Sequence, residues 1–300
     1  MSLNIPNLKR NILLAPFTTY KIGGPADFFV EVHSTQELVT ALSEARQNHI
    51  PFFLLGSGAN ILITDKGFRG LVIRNLANRI TFLDSYRVQA ESGATIADLV
   101  KLCHDRELSG FEHFTGIPST VGGAMWQNLH FLSPDRQQMV YIREIVHASR
   151  IYTAEGQFSR VGVEYFQFGY DKSILQECQD IVLDVIFQLM SKKKEDIRKV
   201  MDVNMAWRSS KQPQLSEYPN CGSVFKKIKD IGAGRLIEQA GLKGIRIGGA
   251  KVSQKHANFI LNTGNAKASD VLELIKQIQI KVKQKSGYTL ETEISIVGEL

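Results

Sequence analysis

The chain has 300 residues, of which 43% are hydrophobic and 22% charged. This is the composition of an ordinary soluble globular protein, and the length suffices for two or three domains with a sizeable core. No stretch of the sequence approaches the roughly 20 apolar residues that span a bilayer. The start of the chain lacks the long apolar run of a signal peptide, so we expect a cytoplasmic protein that does not bind a membrane.

The cysteines and the net charge further limit the kinds of site and partner that fit the sequence. The three cysteines, Cys103, Cys178 and Cys221, are odd in number and lack CxxC spacing. This argues against a disulfide framework and against a zinc site, and we expect no metal. The net charge of +6 comes without a basic strip rich in aromatic residues, so we expect no nucleic-acid partner. A basic balance also suits a protein that binds phosphorylated ligands.

The first hundred residues are predicted to alternate strands and helices. Ser34 is a typical N-cap, with Glu37 three residues later as in a capping box. The predicted elements are a strand ending at Val32, a helix from Ser34 to about Asn48, strands over 51–55, 61–64 and 70–74, a hairpin over 80–83 and 86–91, and a helix over 95–106.

Strands and helices also alternate in the rest of the chain. Predicted strands cover 142–154, 180–188, 257–261 and 288–297, and predicted helices cover 195–208, 233–240 and 268–285. The last strand alternates, which would place Glu291, Glu293 and Ser295 on one face. A change of composition at Ser191–Lys194 favours a domain boundary there, and we expect domains over 1–192 and 193–300.

The strongest local signal is a glycine-rich turn between two apolar runs. Its residues are Gly56, Ser57, Gly58, Ala59 and Asn60. Glycines allow successive backbone N–H groups to point one way and form a nest for a phosphate. A GxGxxG dinucleotide fold would need glycine at 61 and a helix after it, whereas Ile61 begins a strand-like run. A plain hairpin turn is the alternative.

Two further segments are rich in small residues. The segment from Gly116 to Ala124 (GIPSTVGGA) would let backbone lie against a flat aromatic ring, although a buried loop is the alternative. Ser223, in the turn Cys221-Gly222-Ser223, is a positionable hydroxyl that suits a proton donor, although such residues more often form structural turns. His256 is interpreted as a structural histidine beside a strand.

Taken together, these segments resemble the UDP-N-acetylenolpyruvoylglucosamine reductase (UDP-N-acetylmuramate dehydrogenase) family, in its shorter second type. The resemblance extends from about Thr18 to Gly298. Its motifs are TTYKIGGPADFFVEV, LLGSGANILITDKGFRG, GIPSTVGGA, CGSVFK, AGRLIEQAGLKG, VSQKHANFILN and LETEISIVG. The resemblance implies an α+β protein, in which an FAD-binding domain of the vanillyl-alcohol-oxidase (PCMH) type precedes a smaller α+β substrate-binding domain.

The resemblance also implies cofactors and site residues. NADPH would reduce FAD, and hydride would then pass to the double bond of an enolpyruvyl sugar nucleotide. Ser223 matches the family's proton-donating serine, and Glu293 matches its C-terminal glutamate. Tyr170 and Lys226 are expected to bind the substrate. The residues expected to bind the cofactor are Gly56, Ser57, Gly58, Ala59, Asn60, Ile117, Pro118, Ser119, Thr120, Gly122 and Gly123. A monomer is favoured.

The chain departs from the family pattern at three places. Asp171 stands where the family has an arginine that stabilises the enolate, and an aspartate there would repel that charge. Lys172 could replace the arginine only if the backbone turns it inward, because adjacent residues of a strand point to opposite faces. The family's Asn-Ala-Gly-Ala is replaced by the run from Asn128 to Phe131 (NLHF), and Lys227-Ile228 stands where Asn-Pro often follows the Phe-Lys.

Two alternatives therefore stay open. One is a homologue that binds FAD and the sugar nucleotide but has lost catalysis, which Asp171 would explain. Intact Ser223 and Glu293 count against it. The other is a flavin oxidase of the same superfamily with another substrate. Such oxidases often attach the flavin through a histidine near the glycine-rich turn, and residues 54–70 contain none.

Overall fold

The computed structural model describes residues 3–228 and 231–299. The chain forms two compact units. The first contains the residues up to Asn7, Val30–Ser57 and Ile73–Arg208, and the second contains Leu8–Phe29, Gly58–Val72 and the residues from Ser209 onward. This division differs from the boundary at 192/193, which stays a prediction about domains.

The described residues contain six α-helices. They are α1 (Thr35–Gln47), α2 (Ile96–Asp105), α3 (Val121–Gln127), α4 (Lys194–Lys211), α5 (Ala233–Gln239) and α6 (Ala268–Ser286). Short 3-10 helices lie at Ala15–Phe17, Glu112–Phe114, Ile142–Ile145, Val163–Phe166 and Ile174–Gln176. No helix among the described residues combines the length and the apolar character needed to cross a membrane.

The strands are mostly short. In chain order they are β1 (Lys9–Leu13), β2 (Pro25–Val32), β3 (Phe52–Leu55), β4 (Ile61–Ile63), β5 (Phe68–Asn75), β6 (Ile80–Phe82), β7 (Arg87–Glu91), β8 (Leu108–Ser109), β9 (His130–Leu132), β10 (Met139–Tyr141), β11 (Val146–Tyr152), β12 (Phe158–Val161), β13 (Ile181–Gln188), β14 (Met190–Ser191), β15 (Arg246–Ile247), β16 (Ala250–Val252), β17 (Ile260–Asn262) and β18 (Ser295–Val297). The units divide β2 and β5 between them.

The first unit is built on a five-stranded antiparallel sheet. Its strand order is β12-β11-β13-β7-β6, and the predicted hairpin of β6 and β7 is confirmed. Central strand β13 is almost wholly buried, as expected for a strand covered on both faces. Helices α2 and α3 pack beside it and contribute Leu99, Val100 and Met125 to one apolar core.

Helix α1 shows how local sequence sets an element boundary. The Ser34 hydroxyl accepts a hydrogen bond of 3.2 Å from the Glu37 amide, which confirms the predicted N-cap. The Glu37 carboxylate bonds the amide of His33 at 2.7 Å, one residue earlier than a capping box requires. The apolar residues on one face of the helix, Leu38, Ala41, Leu42 and Ala45, are buried.

The second unit surrounds a separate core. Helices α5 and α6 pack with the antiparallel sheet β15-β16-β17, and the buried residues include Phe225, Ile237 and Val271. Strand β18 pairs in parallel with β4, so that Ser295 lies opposite Ile61. The predicted helix over 268–285 is confirmed, and it ends at Gly287, whose φ of +77° is a conformation that glycine adopts readily.

Three strand predictions differ from the structure. The predicted strand over 288–297 is regular at Ser295–Val297 alone, because residues 291–293 bond to 224–226 before the chain turns to β4. Its expected alternation of faces is therefore wrong as a continuous pattern. The strand predicted from 142 begins at Val146, after a 3-10 turn, and that predicted over 257–261 is Ile260–Asn262.

Candidate active site

Two small-residue loops of the first unit lie against each other. The Ser57 hydroxyl donates a hydrogen bond of 2.9 Å to the carbonyl of Pro118. A Cβ placed on Gly56 would lie 2.7 Å from Oγ1 of Thr120, closer than real Cβ contacts allow. A side chain at position 56 would therefore force Thr120 or one of the two loops to shift. The structure brings together Gly56 and Ser57 with Pro118 and Thr120, which sequence analysis assigned to one cofactor site.

The second of these loops is held firmly by its own neighbours. Thr120 caps α3 by accepting a hydrogen bond of 3.3 Å from the Gly123 amide. The amide of Gly122 donates to the Ser92 carbonyl at 2.8 Å, and the Ser119 carbonyl accepts from Ile96. Pro118 and Gly123 nevertheless remain exposed, and Ile117 and Ser119 are half-buried. The result is a rigid surface of small residues that solvent can reach.

The remaining residues of the glycine-rich turn belong to the second unit. Gly58 has a φ of +65°, and a Cβ there would lie 2.5 Å from the carbonyl oxygen of Phe17. Its own carbonyl accepts a hydrogen bond of 3.0 Å from the Thr19 amide. Ala59 is half-buried between Gly58 and Asn60. Because β4 follows Asn60 directly, the turn does not lead into a helix, as the sequence predicted.

Three motifs of the second unit meet at Glu293. Its amide donates a hydrogen bond of 2.8 Å to the carbonyl of Val224, the residue after Ser223. Its carbonyl accepts a bond of 3.4 Å from the Asn60 side chain. Ser223 and Glu293, the two predicted catalytic residues, therefore lie on adjacent segments of backbone. The Asn60 amide group adjoins them.

The conformation of the turn that carries Ser223 is fixed by neighbouring residues and not by the serine itself. The Asn220 side chain accepts a hydrogen bond of 3.1 Å from the Gly222 amide. Gly222 has a φ of +84°, and a Cβ there would meet nothing within 4 Å. Ser223 is half-buried beside this open space. Its hydroxyl is thus placed on a defined turn with room for a ligand.

A buried thiol, that of Cys221, lies two residues before the predicted proton donor in the chain. Burial, followed by the charge of Glu293, raises the pKa of the Cys221 thiol. Burial, followed by the neighbouring Cys221, also raises the pKa of the Tyr20 phenol. Both groups are therefore neutral at physiological pH.

The two predicted substrate-binding side chains are accessible. Lys226 is half-buried, and its ammonium lies 3.9 Å from the Glu291 carboxylate, a loose ion pair. Its backbone amide bonds the Glu291 carbonyl at 2.9 Å, next to the pairing of Glu293. Tyr170, in the first unit, is 42% exposed, with its ring centroid 4.9 Å from that of His130.

Asp171 and Lys172 point in different directions. The Asp171 side chain is 3% exposed, has a backbone φ of +51° and accepts a hydrogen bond of 3.2 Å from Gln127. Lys172 is more than half exposed and forms an ion pair of 2.6 Å with Glu177 on the surface. The suggestion that Lys172 takes the place of the family's arginine thus finds no support.

Sequence analysis missed two basic side chains near these loops. Arg208, at the end of α4, has its Nε atom 3.3 Å from a Cβ placed on Gly116. Burial lowers the pKa of its guanidinium to about 10, which still leaves it charged at neutral pH. His130 lies 3.7 Å from Asp171. Neither contact has a local sequence signal, because each joins distant segments.

The structure supports a structural role for His256. Its Nδ1 atom accepts a hydrogen bond of 3.2 Å from the Asn258 amide, and its ring packs edge-on against Phe259. Burial lowers the pKa of the imidazole and so favours its neutral form. Trp126 is 45% exposed and does not fill the core. Within residues 3–228 and 231–299, no group of three His, Cys, Asp or Glu side chains is arranged to hold a metal ion.

Comparison with known proteins identifies both parts of the chain. Residues 26–162 match the model of an FAD binding domain. Residues 212–297 match the UDP-N-acetylenolpyruvoylglucosamine reductase C-terminal domain. The reductase of that name from Caldanaerobacter subterraneus is 41% identical over 282 residues, which are 94% of this chain and 91% of that protein. The chain belongs to the UDP-N-acetylenolpyruvoylglucosamine reductase family.

Other relatives agree with this assignment. A reductase of the same name from Streptococcus pneumoniae is 38% identical over 95% of this chain and 92% of its own length. The crystal structure of the family member from Thermus caldophilus superposes with a TM-score of 0.81 at 32% identity, over 97% of this chain and 99% of that one. The predicted family, the α+β fold with a PCMH-type FAD-binding domain, and the oxidoreductase class are confirmed.

The small-residue loops fit the FAD that this family uses. The crowding of Gly56 against Thr120 leaves backbone rather than side chains at the surface, and exposed Gly123 and Pro118 continue it. A flat ring or a pyrophosphate can approach such a surface closely. The chain is therefore a flavoprotein oxidoreductase whose own residues suit its cofactor.

Proposed function

We propose that the chain reduces UDP-N-acetylglucosamine enolpyruvate to UDP-N-acetylmuramate with FAD and NADPH, a step of peptidoglycan synthesis. The observation that carries the proposal is the meeting of Asn60, the Ser223 turn and Glu293 through backbone hydrogen bonds of the second unit. These motifs are distant in the sequence. Their convergence supports a shared role for the Ser223 hydroxyl and the Glu293 carboxyl near the end of the proposed cofactor turn.

The cofactor would be held by the two loops. The proposed contacts are Gly56, Ser57, Gly58, Ala59, Asn60, Ile117, Pro118, Ser119, Thr120, Gly122 and Gly123. Arg208 keeps a positive charge beside Gly116, which suits the negative charge of a pyrophosphate. Because hydrogen bonds already hold these loops, they would lose less conformational entropy when the cofactor binds.

The reaction needs one hydride and one proton. When bound, FAD supplies the hydride, which it obtains from NADPH, to the terminal carbon of the enolpyruvyl double bond. The neighbouring carbon, which bears the carboxylate, then needs a proton. Ser223 would donate this proton from a hydroxyl held on a rigid turn beside open space. A serine is a weak acid, so exclusion of water must assist it.

The other site residues would support this transfer. Glu293 is proposed to act with Ser223 in the proton step, because the 2.8 Å bond from its amide to Val224 holds the two segments together. Lys226, a half-exposed cation, would bind phosphate groups of the sugar nucleotide. Tyr170 would contact the substrate from its exposed position. We place the reaction in the cytoplasm, where NADPH and UDP-sugars are made, and expect a monomer.

Anaerobic consumption of NADPH by the FAD-loaded protein tests the proposal. We expect consumption that depends on added UDP-N-acetylglucosamine enolpyruvate and stops when this substrate is exhausted. A yellow protein that binds the nucleotide but transfers no hydride to it would be an inactive homologue. A flavin that NADPH does not reduce would fit instead a flavin oxidase with another substrate.

A further inference from the structure

Residues 224–226, which follow Ser223 directly, form a short segment with hydrogen-bond partners on two sides. On one side, the Glu293 amide donates a bond of 2.8 Å to the Val224 carbonyl. On the other side, the partner is Asn258, a residue of the second unit to which sequence analysis gave no role. The backbone next to the proposed proton donor is therefore held from both sides.

Asn258 makes three hydrogen bonds to this segment. Its carbonyl accepts one of 2.8 Å from the Val224 amide. Its side chain bonds both polar groups of the Phe225 backbone, because Oδ1 accepts from the amide at 3.0 Å and Nδ2 donates to the carbonyl at 2.8 Å. A primary amide carries an acceptor and a donor side by side. The one side chain thus provides the bonds that a neighbouring strand provides in a sheet.

These bonds matter because the segment is buried. Val224 and Phe225 are 0% and 1% exposed, and Asn258 is 6% exposed. A buried backbone group that loses its partner costs about 1–3 kcal/mol, and the Asn258 side chain serves two such groups. Without that side chain the segment would have to shift to find other partners. Ser223 would shift with it.

Asn258 is itself fixed by the sheet of the second unit. It lies two residues before β17, which pairs with β16. Its amide donates a hydrogen bond of 3.2 Å to Nδ1 of His256. The Ser223 segment is therefore tied through Asn258 to regular structure, and not to a loop.

We propose that Asn258 is a positioning residue for the proton step, which fixes the Ser223 hydroxyl by holding the backbone that follows it. The inference rests on the proposed function, in which Ser223 donates the proton. A displacement of about 1 Å at a reacting group can slow a reaction about 100-fold. Asn258 acts through Ser223 from a buried position.

The test uses Asn258→Ala in the FAD-loaded protein. Stopped-flow flavin absorbance follows reduction by NADPH and reoxidation by UDP-N-acetylglucosamine enolpyruvate separately. We expect reoxidation to be about 10- to 100-fold slower than in the wild type, with reduction within about twofold. Combined with Ser223→Ala, the substitution should slow reoxidation no further, because a misplaced donor and an absent donor have the same effect. Losses that multiply in the double variant would overturn the inference.

Asn262→Ala is the matched control. Asn262 lies in β17 and is 4% exposed, and its side chain also holds backbone, namely the carbonyl of Tyr20 and the amides of Gly264 and Ala266. Its substitution should lower the unfolding free energy about as much as Asn258→Ala, as urea unfolding measures, and leave both half-reactions within about twofold. Equal slowing of reoxidation by the two variants would mean that Asn258 has only a general structural role.

Amide hydrogen exchange separates failure of this inference from failure of the proposed function. In Asn258→Ala, the Phe225 and Glu293 amides should exchange at least about tenfold faster than in the wild type, because the first loses its acceptor and the second bonds the shifted segment. Unchanged exchange of both amides would overturn the inference, whatever the activity. If exchange rises but the wild-type protein transfers no hydride to the nucleotide, Asn258 holds the segment and the proposed function fails.

Discussion

The Ser57 hydroxyl donates a hydrogen bond of 2.9 Å to the Pro118 carbonyl and so joins two loops that are distant in the sequence. Beside this bond, Gly56 faces Thr120 so closely that a Cβ would stand 2.7 Å from its Oγ1 atom. The proposed cofactor surface therefore depends on the absence of a side chain at one position. Substitution of that glycine tests the surface directly.

Gly56→Ala should weaken FAD binding by at least about tenfold, because the loops must separate to admit the methyl group. Fluorescence quenching of added FAD measures the affinity. Gly232→Ala is the matched control, since a Cβ there meets nothing within 4 Å, and its affinity should equal that of the wild type. Unchanged affinity in Gly56→Ala would show that FAD does not depend on this contact.

Ser223→Ala should leave flavin reduction by NADPH nearly intact and slow reoxidation by the substrate by orders of magnitude. The hydroxyl is needed for the proton alone, and the turn is held by Asn220 and Gly222. Stopped-flow absorbance measures both steps. Ser216→Ala removes an exposed serine of the same unit and should alter neither step. Equal slowing of both half-reactions by Ser223→Ala would rule out the proton-donor role.

Glu293→Gln and Glu291→Gln form a second pair of variants. Glu291 has a side chain that is 77% exposed, so its substitution should change turnover by less than about twofold. Glu293 adjoins the Ser223 turn, so its substitution should slow the substrate half-reaction by about 10- to 100-fold. If the two variants behave alike in single-turnover reoxidation, Glu293 has no special part in the proton step.

Lys172→Gln should leave substrate affinity and turnover within about twofold of the wild type. Its ammonium is paired with Glu177 on the surface, and such exposed pairs contribute little. Steady-state kinetics measures both quantities. A large rise in KM would show that Lys172 leaves Glu177 to bind the substrate, which would restore it as the replacement for the arginine.

The unfolding free energy should depend on pH through Glu112, whose side chain is fully buried. Burial alone would raise its pKa. Hydrogen bonds from the Ser109 hydroxyl, at 2.5 Å, and the Gly110 amide, at 2.6 Å, outweigh burial and lower it. The stabilisation that ionised Glu112 gives the folded protein is fully present above the pKa of about 4.3 that a glutamate has in the unfolded chain. It is lost as the pH falls through the lower pKa of Glu112 in the folded protein.

Glu112→Gln should therefore lower the unfolding free energy by about 2 kcal/mol at pH 7, a loss that shrinks as the pH falls through the folded pKa. Urea unfolding at a series of pH values measures the difference. Glu155→Gln changes an exposed carboxylate and should cost little at any pH. A loss that stays constant down to pH 3 would contradict the assigned cause.

Elements set by local chemistry were predictable from the sequence. The Ser34 cap and the apolar face of α1 specify that helix without reference to the rest of the chain. The segment from 288 was not predictable, because its partner changes from residues 224–226 to β4 within a few residues. An alternating pattern describes a strand that keeps one partner, and it carries no sign of such a change.

The motifs of the candidate site could be predicted from the sequence, but the contacts between these motifs could not. Motif resemblance selected Ser57, Pro118 and Glu293, while the structure showed which of them touch. Neither local sequence pattern predicts the contact between His130 and Asp171, because each residue by itself is only a departure from the family pattern. A contact between distant positions becomes visible when the fold brings them together.

The parallel pairing of β18 with β4 has a consequence for biosynthesis. Asn60 and Glu293 are 233 residues apart, and β18 follows every other described element in chain order. During translation, the glycine-rich turn leaves the ribosome long before the segment that completes its surroundings. A nascent chain released before residue 293 has neither the strand that pairs with β4 nor the carboxyl of Glu293. We therefore expect such incomplete copies to lack the substrate half-reaction.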